Sequence, residues 1–497
     1  MNTKPILRYI PLALLLVMMA LPGCYKDKGN YAYHQINDIT ITTVADTFHV
    51  TRLDTLRITP VIQAALTPDT GRLKYEWDAY LDPSFVVDTT APESSKIVVL
   101  STQRNLDIQV LLNAESSGPY DLDLKVTDTV TGVGYFKHLF LYVNSTLQNG
   151  WMLLEQKSGY SDISMITPND TVFHGVFSAA NPTAALPLSA NQLQSFYINS
   201  GGMGALNFVL TTNGGYVLDH NTLKILMPYS QFFYGPPTVV QPGTVANPSY
   251  FTSLYTVNAG QVYSMNAMYG ATLFGAAYLQ ADNLGSVIAP WVTGGYVYGG
   301  IFFDQANYRF LNDGSTTSLY PFPASASAGG GFDMNNVHKN MLTMQPGIGD
   351  PLDPNNVYAV FENINNDSCF LYSLNPYANV VPLWQQPILN SPGVQNSVGF
   401  LFSPTVQQMY YSSGSQLYVY DMAANTSRVV YQFASGENIT ALQLMNNVIV
   451  AATYTGSTQG GSVYYLPVAP TGDIQGNNYS QKFTGFDKII NMVYKQG

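Results

Sequence analysis

Six histidines are the first candidates for acid–base or metal chemistry: His34, His49 and His138 near the N-terminus, then His174, His220 and His338. No two stand at the His-x-x-x-His spacing that places a pair of imidazoles on one helical face around zinc. Serine is abundant, yet no Gly-x-Ser-x-Gly elbow lies between a strand and a helix to raise a nucleophile. Glycoside hydrolysis needs two carboxylates at a set separation, and Glu155 and Glu362 are the pair the sequence offers; solvated surface acids are the competing reading. The loop Asp350-Pro351-Leu352-Asp353-Pro354-Asn355-Asn356 is rich in the oxygen ligands calcium prefers but lacks the regular spacing of a calcium loop. Aromatic residues carry more. Tyr229, Phe232, Phe233 and Tyr234 run into Gly235-Pro236-Pro237, and Trp291, Tyr296 and Tyr298 surround Gly294-Gly295. Flat rings beside glycine-rich turns can stack on a sugar, which makes Tyr234, Trp291, Tyr296 and Tyr298 the expected ligand contacts. Packing of the same rings inside the core is the alternative. No catalytic residue, metal or cofactor is expected.

Positioning begins with the N-terminus. Lys4 and Arg8 precede an apolar run over residues 10–20, which leads to Leu21-Pro22-Gly23-Cys24. A basic flank, a short apolar core and a small residue before the cut are the parts of a secretory signal. The run is too short to cross a bilayer as a helix. With Cys24 directly after Gly23, the segment resembles a bacterial lipoprotein signal. That resemblance implies cleavage after residue 23 and acylation of Cys24, so the mature chain is expected to hang from a membrane by its lipid.

Composition narrows the partners. A net charge of −11 gives no basic face for nucleic acid or anionic lipid. Only 10% of residues are charged, so polarity falls to amides and hydroxyls, including those of 36 tyrosines, as suits an exported β-protein. With Cys24 acylated, Cys369 has no partner for an intramolecular disulfide.

The elements that must carry these residues are strands. In the first region Leu73, Tyr75 and Trp77 alternate with Lys74, Glu76 and Asp78, and Leu122, Leu124 and Val126 alternate with Asp121, Asp123 and Lys125. A period of two writes one buried and one wet face. Several such strands within about 115 residues predict an immunoglobulin-like sandwich with Trp77 in its core. From Gly150 the rhythm lengthens. Residues 397–402, 408–411, 416–421 and 428–431 read as four short strands, similar units start near Ile439, Met341, Gly299 and Tyr250, and a degenerate one runs through Gly214 to Asp219 and Thr222 to Leu226. Spacings of roughly 42–57 residues predict a seven-bladed β-propeller; two stacked sandwiches are the alternative. Residues 488–494 look like an innermost strand lacking its successors, and residues 151–155 like a second strand lacking its predecessor, so together they close the ring. The expected organisation is all-β: a signal over residues 1–23, the sandwich over 24–146 and the propeller over 147–497.

Taken together, Cys24-Tyr25-Lys26-Asp27-Lys28-Gly29-Asn30-Tyr31, Tyr75-Glu76-Trp77, Tyr120 to Asp128, and Gly150-Trp151-Met152-Leu153-Leu154 give a chain that resembles the PKD-like lipoproteins of bacteria with starch-utilisation-type outer-membrane uptake systems. The resemblance implies a PKD-type sandwich, an outer-membrane lipid anchor, and a role near glycan capture alongside outer-membrane uptake proteins. Lys26-Asp27 after the acylated cysteine is similar to the signal for export to the cell exterior, although Lys28 stands where a second acid is often found. Three functions compete: a non-catalytic glycan-binding or accessory module, a propeller hydrolase or lyase acting on polysaccharide, and a structural or protein-docking lipoprotein. The dearth of histidines and paired acids favours the first and third.

Overall fold

The computed structural model describes residues 36–496 apart from 53, 67–69, 82–96, 113–118, 199–203, 249–252, 295–298, 315–316, 325–330 and 377–380. The chain is all-β and divides into two compact units. The first is built mainly from Thr55–Ile108 and Tyr120–Leu141, and the second mainly from Tyr142–Gly497. Among the described residues no helix is long and apolar enough to cross a membrane.

The first unit is the immunoglobulin-like sandwich. Its main sheet has five strands in the order Thr47–Thr51, Gly134–Asn144, Tyr120–Asp128, Leu73–Leu81, Val98–Ser101. Two short pairs accompany it, Ile39–Thr42 with Val61–Ala64 and Thr55–Ile58 with Leu106–Gln109. Alternation sends Trp77, Ala79, Leu122, Leu124, Val126 and Leu139 to one face, where all six are buried. Trp77 satisfies its one polar atom by donating Nε1–H to the Gln103 carbonyl at 3.1 Å. At the end of the third strand Asp128 closes the turn, accepting Val130 N–H at 2.9 Å, while Arg72 donates to it from Nε at 3.0 Å. The Arg72 guanidinium holds this carboxyl well below the usual range.

Among the described residues the second unit contains seven sheets of three or four strands in chain order, the blades of the propeller, besides the small hairpin of Gly349–Asp350 with Asp353–Pro354. Blade 1 runs from its outer edge inward as Val172–Phe173, Ser161–Ile166, Gly150–Gln156 and Lys488–Lys495. The ring therefore closes as the sequence predicts, with Trp151 opposite Tyr494 and Leu153 opposite Met492. Blade 2 holds Ala190–Ile198, Gly204–Thr211, Gly214–Leu218 and Ile225–Pro228. Blade 3 holds Pro242–Ala246, Ser253–Asn258 and Gln261–Asn266. Blade 4 holds Ile301–Asp304, Arg309–Asn312 and Ser318–Pro321, with Leu279–Gln280 running parallel on its outer edge. Blade 5 consists of Lys339–Pro346, Val357–Asn363, Cys369–Asn375 and Val381–Pro387. Blade 6 consists of Phe400–Phe402, Gln408–Ser413, Gln416–Asp421 and Thr426–Gln432. Blade 7 consists of Asn438–Met445, Val448–Tyr454, Gly461–Pro467 and Gln481–Phe486.

Three of the expected repeat starts are displaced: those near Tyr250 and Gly299 fall on second strands, and the one at Gly214 falls on the third strand of blade 2. The preceding segments of blades 3 and 4 carry Pro242 and Pro290, which cannot donate to a ladder, so their alternation is weak. In blade 4 only isolated pairings, Ile288 with Asp304 and Thr293 with Ile301, mark the inner position.

Among the described residues seven apolar clusters hold the ring, each shared by consecutive blades. Met152, Leu154 and Met165 of blade 1 pack with Leu193 and Val209 of blade 2. At the closing seam Trp151, Leu153, Ile489 and Met492 pack with Ala441, Val450 and Val463 of blade 7. The others follow the same plan between the intervening blades. Amide side chains on the inner strands stitch neighbours together: Gln443 Nε2 donates to the Met492 carbonyl at 2.9 Å, and Asn491 Oδ1 accepts Leu193 N–H at 2.9 Å.

Candidate functional site

The residues singled out in the sequence go to different places. Cys24, Tyr296, Tyr298 and His34 lie outside the described residues. Tyr229, Phe232 and Phe233 are buried between blades 2 and 3, where large rings fill the wedge. Their neighbour Tyr234 is not, and is 64% exposed. Trp291 is half-buried against the cluster of blades 4 and 5. Tyr234 and Trp291 thus belong to different blade junctions.

The two carboxylates weighed for glycosidase chemistry stand on blades 1 and 5. Glu155 is not a solvated acid; it is fully buried. Its oxygens accept Asp487 N–H at 2.7 Å and the Ser164 hydroxyl, and Lys157 Nζ lies 3.8 Å away. Asp487 directly precedes the C-terminal strand, so Glu155 fastens the ring closure. In the loop at Asp350, that carboxylate accepts Leu352 N–H at 2.9 Å and closes a small hairpin. Asp219, Asp304 and Asp421 close turns in the same way, accepting Thr222 N–H at 2.8 Å, Ala306 N–H at 3.1 Å and Ala424 N–H at 2.8 Å. Among the described residues no group of three or more His, Cys, Asp or Glu side chains is placed to hold a metal.

Where blades 1 and 2 meet, Lys495 is fully buried and donates from Nζ to the carbonyls of Leu147 and, at 2.9 Å, Gln148. Burial pushes its ammonium down to about 7, partly offset by Asp219. His220 is buried beside Asn207, with Nδ1 3.2 Å from the amide nitrogen. Burial and then the Lys495 charge push this imidazole down to about 4. These groups face the interior and fasten the blade junction.

The outer face of the sandwich's main sheet is different, and the sequence reading passed over it. On strand Gly134–Asn144 the residues facing away from the core include Phe136, His138 and Phe140, with Phe136 66% and Phe140 36% exposed. Strand pairing sets them in three cross-strand rows: Phe136–Lys125–Glu76, His138–Asp123–Asp78 and Phe140–Asp121–Tyr80. Successive rows are about 7 Å apart. His138 presents Nδ1 to Asp123 Oδ1 at 2.8 Å and Nε2 to Asp121 Oδ1 at 3.3 Å. Its ring meets Phe140 edge to face, with centroids 5.1 Å apart. Lys125 Nζ lies 3.7 Å from Glu76 Oε1. Tyr80 donates its hydroxyl to Asp123 Oδ2 at 3.2 Å. Burial, with the charge of Glu76 next, raises the Asp78 carboxyl above its ordinary range. A groove of about 370 Å³ opens on the same sheet, lined by Lys74, Glu76, Thr102, Lys125 and Thr127 among others. The signal that finds this face is a strand whose wet side is aromatic: Phe136, His138 and Phe140 alternate with Leu139 and Leu141.

Comparison with known proteins bears on the first unit most directly. Residues 24–185 match the model of the PKD-like family, a span that takes in the sandwich and the start of blade 1. No curated protein matches the chain. Among solved structures it is similar to a quinoprotein alcohol dehydrogenase-like protein from Bacteroides thetaiotaomicron VPI-5482. The TM-score is 0.40 at 12% identity, over 91% of this chain and 95% of that one. It is also similar to dihydro-heme d1 dehydrogenase NirN, with a TM-score of 0.37 at 9% identity over 77% and 76% of the two chains. A BBS1N structure in complex with ARL6DN gives 0.37 at 10% identity over 67% and 94%. The propeller assignment rests on the seven sheets and their shared clusters.

Proposed function

We propose that this protein is a lipid-anchored, non-catalytic module that binds neutral glycan at the outer face of the outer membrane and serves as an accessory to glycan uptake. The observation that carries the reading is the set of large rings left in solvent on blades 2 and 3: Tyr197, Tyr234 and Tyr269, at 53%, 64% and 85% exposure. Each of the three offers a rigid apolar face with a hydroxyl tip, of the kind a pyranose stacks on. The Gly23-Cys24 signal supports the anchor, and the PKD-like match is compatible with a binding or accessory module. A net charge of −11 suits an uncharged ligand better than an acidic one. A glycan array with the full chain in detergent, run beside a reducing-sugar release assay, tests the reading. Retention of neutral glycans without release of reducing ends is expected; release of reducing ends, or no retention, overturns it.

A further inference from the structure

We infer that the junction of blades 4 and 5 carries a further sugar site, where Lys339 pairs with an occasional carboxylate on an otherwise neutral glycan and Tyr308 and His338 supply ring faces. This inference rests on the glycan-binding reading and adds a substituent to the ligand, a uronic acid. Lys339 opens the inner strand of blade 5 and is half-buried. Its Nζ lies 4.5 Å from the ring centroid of Phe370 and 5.8 Å from that of Tyr372. Rings attract an ammonium but do not neutralise it. Among the described residues no carboxylate pairs with it: burial alone acts on the ammonium, pushing it below its ordinary range. The neighbouring acids are turned to other groups. Asp333 accepts Asn335 N–H at 2.9 Å. Glu362 and Asp367 bear on Cys369, which alternation places on the face of its strand opposite Phe370.

The rings beside this charge are set by two turns. Tyr308 and His338 both adopt positive φ, 52° and 48°, where bulky residues are uncommon. Their ring centroids are 5.5 Å apart. Val337 joins the pair to the lysine, since its N–H donates to the Tyr308 carbonyl at 2.8 Å and its own carbonyl accepts from Lys339 Nζ at 3.4 Å. His338 is exposed and Tyr308 half-buried, so a ligand reaches ring faces next to an ammonium that lacks a counter-ion. One such cation takes one carboxylate. A net charge of −11 repels a polymer of repeating acids, whereas a neutral chain with a scattered uronic acid meets a local attraction at Lys339.

The test is affinity electrophoresis of the full chain in detergent through gels containing glucuronoxylan, or the same polymer with its carboxyl groups reduced to hydroxymethyl groups. Mobility in a gel without polymer is the reference. Wild type should be retained about fivefold more strongly by the acidic form. Lys339→Met, which keeps an apolar stem over Phe370, should lose that preference and leave retention by the reduced polymer unchanged. Lys339→Arg should keep it. Equal retention of wild type by both gels overturns the site and leaves the neutral-glycan reading intact, as does a preference that survives in Lys339→Met. If Lys339→Met melts lower than wild type, His338→Asn carries the test, because asparagine tolerates positive φ. Loss of that ring should weaken retention by both gels about threefold, and unchanged retention overturns the site. Wild type retained by neither gel overturns the site, and the glycan array decides separately whether the glycan reading falls with it.

Discussion

Removing residues 488–497 should open the propeller while sparing the sandwich. The lost strand contributes Ile489 and Met492, both buried in the seam with blade 7, and it covers Trp151 and Leu153. Burial of two such side chains stabilises the fold by about 3–6 kcal/mol, and the cavity left behind adds to that loss. Leu193 N–H would lose its acceptor on Asn491, and the Glu155 carboxylate would keep Asp487 with nothing beyond it. Against a typical stability of roughly 5–15 kcal/mol, this is a large share. Differential scanning calorimetry should show the propeller transition lowered by roughly 6–12 °C or lost, with the sandwich transition in place. A truncated chain whose transitions both stay within about 2 °C of the full chain would refute a closed ring.

Further outcomes follow from other parts of the molecule. Cys24→Ala should move the protein from the membrane pellet to the soluble fraction; a variant that still pellets after a high-salt wash contradicts the lipid anchor. The junction of blades 1 and 2 should be sensitive to acid. His220 is held at about 4 against an ordinary 6.5, and Lys495 at about 7 against 10.5, so the unfolded chain takes up the extra proton in both windows. Stability should therefore rise with pH from about 4 to 6.5, and again from about 7 to 10.5, by at most about 3 and 5 kcal/mol respectively. Denaturant titrations across pH should show both rises, with Lys495→Met flattening the upper one and His220→Asn the lower. Glu155→Gln should destabilise the propeller by about 1–3 kcal/mol in the same titrations, since Asp487 and Ser164 both bond to that carboxylate.

How much of this was legible in the sequence depends on whether a residue's role is local. Alternation around Trp77 gave the sandwich's inner face because strand geometry alone decides which side chains point inward. The closing strand was legible because residues 488–494 and 151–155 were each incomplete without the other. Burial of Glu155 was not, since the groups that satisfy it, Ser164 and Asp487, lie 9 and 332 residues away. Nor was the division between Phe232 or Phe233, packed between blades, and Tyr234, left in solvent one residue on. That division depends on a neighbouring blade that no local pattern describes. The aromatic row on strand Gly134–Asn144 could have been found, because its rings sit on the wet phase of a clear alternation.

The central claim is binding without turnover, and an equilibrium titration tests it most directly. Isothermal calorimetry of the full chain in detergent with a neutral oligosaccharide, in low and in high salt, should give a saturable heat little changed by ionic strength, and the sugar should be recovered intact. Absence of a saturable heat across a panel of neutral oligosaccharides, or recovery of cleaved sugar, would contradict the account.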